Sequence, residues 1–176
     1  MIGVAEIRRV VPHRHPVLLV DQVVEVEPGT RLRARKAVSA AEPCYAGIEE
    51  DAAPGRHAYP TGWLLESWAQ AAVLLVCWER PNPDVLTGTV ALLAGLKGVR
   101  VSGAAWPGQL VEHEVRLLRD LGGTAILTGE TRCEGRLLLE IDEMTIALRP
   151  AETLRGDGPD DAYGASGASV GQGEEN

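Results

Sequence analysis

Cysteine is scarce: Cys44, Cys77 and Cys133 are the only three in 176 residues. That is too few, and too scattered, for a disulfide framework or a metal knuckle, and no histidine–cysteine spacing suggests zinc. No metal or cofactor is expected. Basic charge is also short, with 17 Lys and Arg against 25 Asp and Glu and a formal net charge of −8. The chain therefore lacks the positive field that would make nucleic acid its main partner. Six of the acids (Glu152, Asp157, Asp160, Asp161, Glu174, Glu175) share the last 27 residues with one base, Arg155, so about −3 belongs to the body. The opening, MIGVAEIRRVVPHRHP, has no apolar core behind a basic start. No secretory signal is visible there, and a soluble cytoplasmic protein is expected. No internal repeat is evident. The most apolar run, Trp63 to Trp78, is interrupted by Glu66, Ser67 and Gln70 and is too short for a good membrane span.

What is present suffices for one well-cored domain: 45% of the residues are hydrophobic. The chain is organised around Tyr59–Arg80, YPTGWLLESWAQAAVLLVCWER. Pro60 and Gly62 bracket Thr61, whose hydroxyl is placed to cap free helix amides. The following run is apolar on almost every side, so it predicts a buried helix, which Pro81 stops. Glu66 is then a lone carboxylate in the first turns of an enclosed helix. Either the helix dipole accommodates it there, or it is a functional group.

Around that helix the sequence predicts strands. Val17–Glu27 is rich in β-branched residues and ends at the turn Pro28-Gly29. Thr30–Val38 alternates, with Arg31, Arg33 and Arg35 on one face, and completes a hairpin. Residues 40–58 have no usable period and read as a loop. After the helix come Thr89–Val101, Gln109–Arg119, Thr124–Cys133 and Leu137–Arg149, separated by Gly-containing turns. The expected architecture is α+β, an antiparallel sheet wrapped around one long central helix. The open edge of such a sheet invites pairing between two copies. The domain is expected to span residues 1–150. From 151 to 176 the chain is an acidic stretch rich in Gly, Ala and Ser, with little to bury, and reads as a disordered tail.

Three blocks follow one another in a fixed order: Pro12-His13-Arg14-His15-Pro16-Val17-Leu18-Leu19-Val20-Asp21, Glu42-Pro43-Cys44-Tyr45-Ala46-Gly47 and Pro60-Thr61-Gly62-Trp63-Leu64-Leu65-Glu66-Ser67-Trp68-Ala69-Gln70. Leu92-Leu93-Ala94-Gly95-Leu96 and Pro107-Gly108 come after them. This resembles the (3R)-hydroxyacyl-[acyl carrier protein] dehydratases of fatty acid biosynthesis, which have the hot-dog fold, from about Ala5 to Arg149. The resemblance implies elimination of water from a 3-hydroxyacyl thioester carried on the phosphopantetheine arm of acyl carrier protein. It also implies a site shared by two subunits, with a histidine from one and a helix carboxylate from the other. Glu66 falls on that carboxylate. The amides of Gly62 and Trp63 fall where the thioester oxygen needs donors, with Gln70 beside them in the substrate site.

At the position of the family's histidine, after Gly47, the sequence has Ile48, and about five extra residues follow before the helix. The nearest histidine is His57, which either swings into the vacant place or is a loop residue without a role. By resemblance, His13 and His15 lie near the mouth of the site and order the loop. His113, in an apolar alternation, reads as a satisfied core or interface residue. Three functions remain open. One is an active dehydratase of fatty acid or polyketide biosynthesis using Glu66 and His57. Another is a non-catalytic or half-site subunit paired with a second hot-dog chain, as homodimer or heterodimer. The third is a hot-dog acyl thioesterase in which Glu66 activates water. Arg31, Arg33 and Arg35 are either a docking row for the acidic carrier protein or a solvated strand face.

Overall fold

The computed structural model describes residues 2–154 of the chain. Six strands form one antiparallel sheet in the order β1-β2-β4-β5-β6-β3, where β1 is Gln22–Glu27, β2 Arg31–Ala37, β3 Thr89–Val101, β4 Leu110–Asp120, β5 Thr124–Cys133 and β6 Arg136–Pro150. Glu27 and Thr30 close the first hairpin with a 3.0 Å backbone bond, Gly29 taking a φ of 69° between them. Register shifts interrupt the β1–β2, β3–β6, β4–β5 and β5–β6 ladders. Such bulges bend strands, and here the sheet curls over a single long helix, α2, Thr61–Cys77.

Helix and sheet meet tightly at Trp68. Its indole is fully buried and donates to the Glu114 carbonyl of β4 at 3.0 Å. Across from it Gly129 of β5 is bare by necessity, since a Cβ there would lie 2.0 Å from the Glu114 carbonyl oxygen and 3.0 Å from the Trp68 ring. Leu64, Leu74 and Leu75 from α2 complete the core with Val23, Leu32, Leu127, Leu138, Ile141 and Ile146 from the sheet.

Several local expectations are corrected. The N-terminal segment carries a short helix, α1, Val4–Val10, which buries Ile7 and Val10. Residues 17–21 precede β1 and are not in it; they bond instead to α2 side chains and to β2. Thr61 does not cap α2: Pro60 takes the N-cap position with no side-chain bond, and its carbonyl accepts from Trp63 and Leu64 at 2.9 and 3.0 Å. The 40–58 connection contains two 3-10 turns, Pro43–Tyr45 and Pro54–His57. Nor is α2 enclosed on every side, because Leu65, Ala69, Val73 and Val76 stay half-buried and Glu66 exposed along one stripe. At the far end, Ala151–Leu154 forms a 3-10 turn with Ala151 buried, so ordered backbone continues past residue 150. The rest of the expected tail lies outside the described residues. Among the described residues no helix is long and apolar enough to cross a membrane.

Candidate active site

Glu66 is the sixth residue of α2. It sits in the second turn, where the pull of the helix dipole has largely faded, so the dipole alone does not explain it. Gln70, one turn further on, is buried and arranges the surroundings. Its Nε2 donates to Glu66 Oε1 at 2.8 Å and to the Val17 carbonyl at 2.7 Å, while its Oε1 accepts from the Leu19 amide at 2.8 Å. One amide side chain thus fixes both the carboxylate and the extended segment that follows Pro16. Ser67, also fully buried, reinforces that clasp by donating to the Leu19 carbonyl at 2.9 Å.

The clasp brings the Pro12–Pro16 turn against α2. His13 Nε2 lies 3.7 Å from Glu66 Oε1, with the two side chains 26% and 48% exposed. Burial holds the imidazole below the usual histidine range; the Glu66 charge opposes this and Arg14 adds to it. His13 Nδ1 is sealed from solvent and has no hydrogen-bond partner among the described residues. Arg14 locks the turn by donating to the carbonyls of Val11 and His13, both at 2.8 Å, and of Arg8 at 3.1 Å. From the sequence, this histidine was expected only to order the loop. The signal that could have found it is its place in a block whose backbone the helix must hold.

Ser67 also leads inward to a sealed polar chain. Its Oγ is 2.8 Å from His113 Nε2, and His113 Nδ1 is 2.8 Å from Thr131 Oγ1. Because Ser67 donates to Leu19, the consistent direction is Thr131 O–H to Nδ1 and Nε2–H to Ser67. His113 is 1% exposed, and burial, aided by the Lys36 charge, pushes its pKa down to about 3. It is a satisfied core residue, as expected.

The other anticipated residues are more dispersed. His57 ends the second 3-10 turn, half-buried. Among the described residues, the hydrogen-bonding and ion-pair neighbours of the Glu66 carboxylate are Gln70 and His13, and His57 is not one of them. Ile48 is half-buried in the preceding loop. The amide of Gly62 makes no hydrogen bond among the described residues, and no atom lies within 4 Å of where its Cβ would stand. The Trp63 amide, in contrast, is already bonded to the Pro60 carbonyl. Arg31 pairs with Glu25 at 2.6 Å and Glu27 at 3.2 Å, Arg33 with Glu25 at 3.7 Å, and Arg35 with Glu112 at 2.7 Å. That strand face carries both signs of charge rather than an unopposed basic row.

The 40–58 connection is anchored by Lys36, which is 5% exposed. Its Nζ meets Glu42 Oε1 at 3.0 Å and Asp21 Oδ2 at 3.6 Å, and Tyr59 donates to Glu42 Oε2 at 3.1 Å. Burial and the Glu42 charge push the Tyr59 hydroxyl well above its ordinary range. A cavity of about 840 Å³ opens at the other end of α2, beside Leu75, Val76, Leu117 and Leu148. It is roughly 15 Å along the helix from Glu66, well away from that carboxylate. Among the described residues no cluster of His, Cys, Asp and Glu could hold a metal ion.

No family model matches the sequence. Individual proteins do. The chain is 33% identical over 147 residues to the 3-hydroxyacyl-[acyl-carrier-protein] dehydratase FabZ of Roseiflexus sp. (strain RS-1), across 80% of this chain and 97% of that one. It is also 33% identical over 151 residues to FabZ of Pasteurella multocida (strain Pm70), across 86% and 94%. Among solved structures, the dehydratase heterocomplex ApeI:P from Xenorhabdus doucetiae superposes with a TM-score of 0.68 at 21% identity, over 84% of this chain and 93% of that one. An uncharacterized protein from Pyrococcus horikoshii superposes with a TM-score of 0.56 at 18% identity, over 84% and 94%. The fold is the hot-dog fold, and over most of its length the chain belongs to the FabZ family of 3-hydroxyacyl-[acyl-carrier-protein] dehydratases.

Proposed function

We propose that this chain removes water from (3R)-3-hydroxyacyl thioesters carried on acyl carrier protein, in fatty acid or polyketide synthesis, with Glu66 as one of the two proton-handling groups. The observation that carries the reading is Glu66 itself: a half-exposed carboxylate in an otherwise apolar helix, oriented by a buried glutamine. The reaction needs a base at C2 and an acid at the C3 hydroxyl. It also needs donors for the charge that gathers on the thioester oxygen. The Gly62 amide, without a hydrogen bond among the described residues, is the donor we assign.

A dimer completes the reading. Among the described residues the edge strand β3 has no neighbour on its outer side, and it exposes Leu93, Leu96, Val99 and Val101. A long apolar edge of this kind favours pairing with another chain. The paired arginines of β2 leave a weaker docking surface for the acidic carrier protein than an open row would. Reversing the charges of Arg31 and Arg33 is expected to weaken carrier-protein binding by a few-fold at low salt, measured by titration, and unchanged binding would discard that surface.

A half-site subunit is the second reading, favoured by Ile48, which follows Gly47 where the resemblance implies a histidine, and by the heteromeric nature of the ApeI:P neighbour. Mass spectrometry of a 3-hydroxyacyl-carrier-protein incubated with the purified protein separates the possibilities. Loss of one water from the acyl group is expected. Release of free carrier thiol would instead mean a thioesterase. Silence alone, with activity restored by a second hot-dog chain, would mean a half-site subunit.

A further inference from the structure

Glu66 can supply only one of the two proton transfers, and the structure offers a second group beside it. His15 is exposed, both nitrogens of His113 are engaged in the core, and His57 is not among the partners of the carboxylate. His13 alone among the described histidines stands at Glu66, 3.7 Å away. Three features mark it as more than a packing residue. Its turn is locked by three bonds from Arg14. The segment after it is held by the same Gln70 that orients Glu66. And its Nδ1 is left unpaired in the interior, an arrangement that a purely structural side chain avoids.

We propose that His13 is the catalytic base, working with Glu66 of the same chain. This rests on the dehydratase reading above. With Nδ1 buried, Nε2 is the nitrogen that faces the carboxylate and the substrate. Nε2 takes the proton from C2, the C2–H electron pair becomes the C2–C3 double bond, and the C3–O bond breaks. The His13–Glu66 pair carries one proton to be passed between them, and in the reactive form Glu66 gives it from the oxygen that Gln70 does not hold to the departing hydroxyl, which leaves as water. The proton on His13 then passes to the Glu66 carboxylate, restoring both groups, so nothing else is consumed. The two reacting carbons are bonded, about 1.5 Å apart, and His13 Nε2, 3.7 Å from Oε1 of the same carboxyl group, stands close enough to the acid for both to serve them from one side. The pair also explains how a chain with Ile48 in its loop retains a complete set of proton carriers.

The test uses the full-length protein and a (3R)-3-hydroxyacyl-carrier-protein, following water loss by mass spectrometry, with near-ultraviolet circular dichroism to confirm folding. His13→Ala is expected to slow the reaction by roughly 100-fold or more, with partial recovery on adding free imidazole. His13→Gln, which keeps the volume, is expected to be equally slow. Co-assembled His13→Ala and Glu66→Gln chains are expected to stay inactive, because neither protomer holds an intact pair. Wild-type rates in the His13 variants, loss without imidazole recovery, or activity regained on co-assembly would each overturn the proposal. A wild-type protein active only with a second hot-dog chain would overturn it while leaving the dehydratase reading intact. A wild-type protein inactive in both settings would overturn both.

Discussion

Glu66 and Gln70 stand one turn apart on α2, and the 2.8 Å bond between them is the one hydrogen bond that tethers the carboxylate among the described residues. The sequence already placed both on one helix, and a carboxylate amid apolar neighbours was its clearest functional signal. It could not show that His13, far earlier in the chain, would arrive beside Glu66. That meeting depends on Gln70 and Ser67 capturing the backbone of Val17 and Leu19, which is long-range chemistry with no local pattern. His113 was legible as a core residue from its alternation, though its partners Ser67 and Thr131 were not. Its burial makes a prediction about stability. The folded-state pKa, about 3, lies below the ordinary 6.5, so between those values the unfolded chain binds a proton that the folded chain refuses. The contribution is whole above pH 6.5 and is lost as pH falls, at about 1.4 kcal/mol per pH unit. Urea midpoints of wild type and His113→Gln, compared from about pH 7 to about pH 4, are expected to converge towards acid. Curves that remain parallel would contradict the assignment.

At the scale of elements, α2 was readable within a residue or two because an apolar run that long, ended by Pro81, has few alternatives. β3 and β5 were readable to the residue, since Gly and Pro turns bound them. The error at 17–21 has a physical cause: VLLVD has strand composition, but its hydrogen bonds go to helix side chains and to Arg35 and Ala37 of β2. Composition does not specify the partner. α1 was missed because seven residues with no side-chain cap and two buried positions leave little periodic signal. The clasp can be tested by Gln70→Ala. It removes both bonds to the 17–19 backbone and leaves the buried Leu19 amide unpaired, so a loss of about 1–3 kcal/mol is expected. Thermal unfolding should reveal it. Hydrogen exchange should quicken at Leu19 before it does in β5, and uniform exchange across the fold would argue against a clasp.

For the whole molecule, the described residues leave one side of the sheet open. β3 ends the sheet, with Leu93 58% exposed, and the α2 stripe through Ala69, Val73 and Val76 is only partly covered. The sequence predicted an open edge but not which strand would form it, since order within a sheet is set by pairing rather than by composition. Leu93→Lys with Leu96→Glu is expected to turn a dimer into a monomer in analytical ultracentrifugation, with little change in far-ultraviolet circular dichroism. A dimer that persists would place the interface elsewhere. The proposed role of Glu66 in proton transfer is the centre of the account, and one comparison tests it most directly. The rate at which Glu66→Gln forms the enoyl product from a 3-hydroxyacyl-carrier-protein is set against that of the wild type, both shown to be folded. A fall of roughly 100-fold or more is predicted, and a variant that works at the wild-type rate would contradict the account.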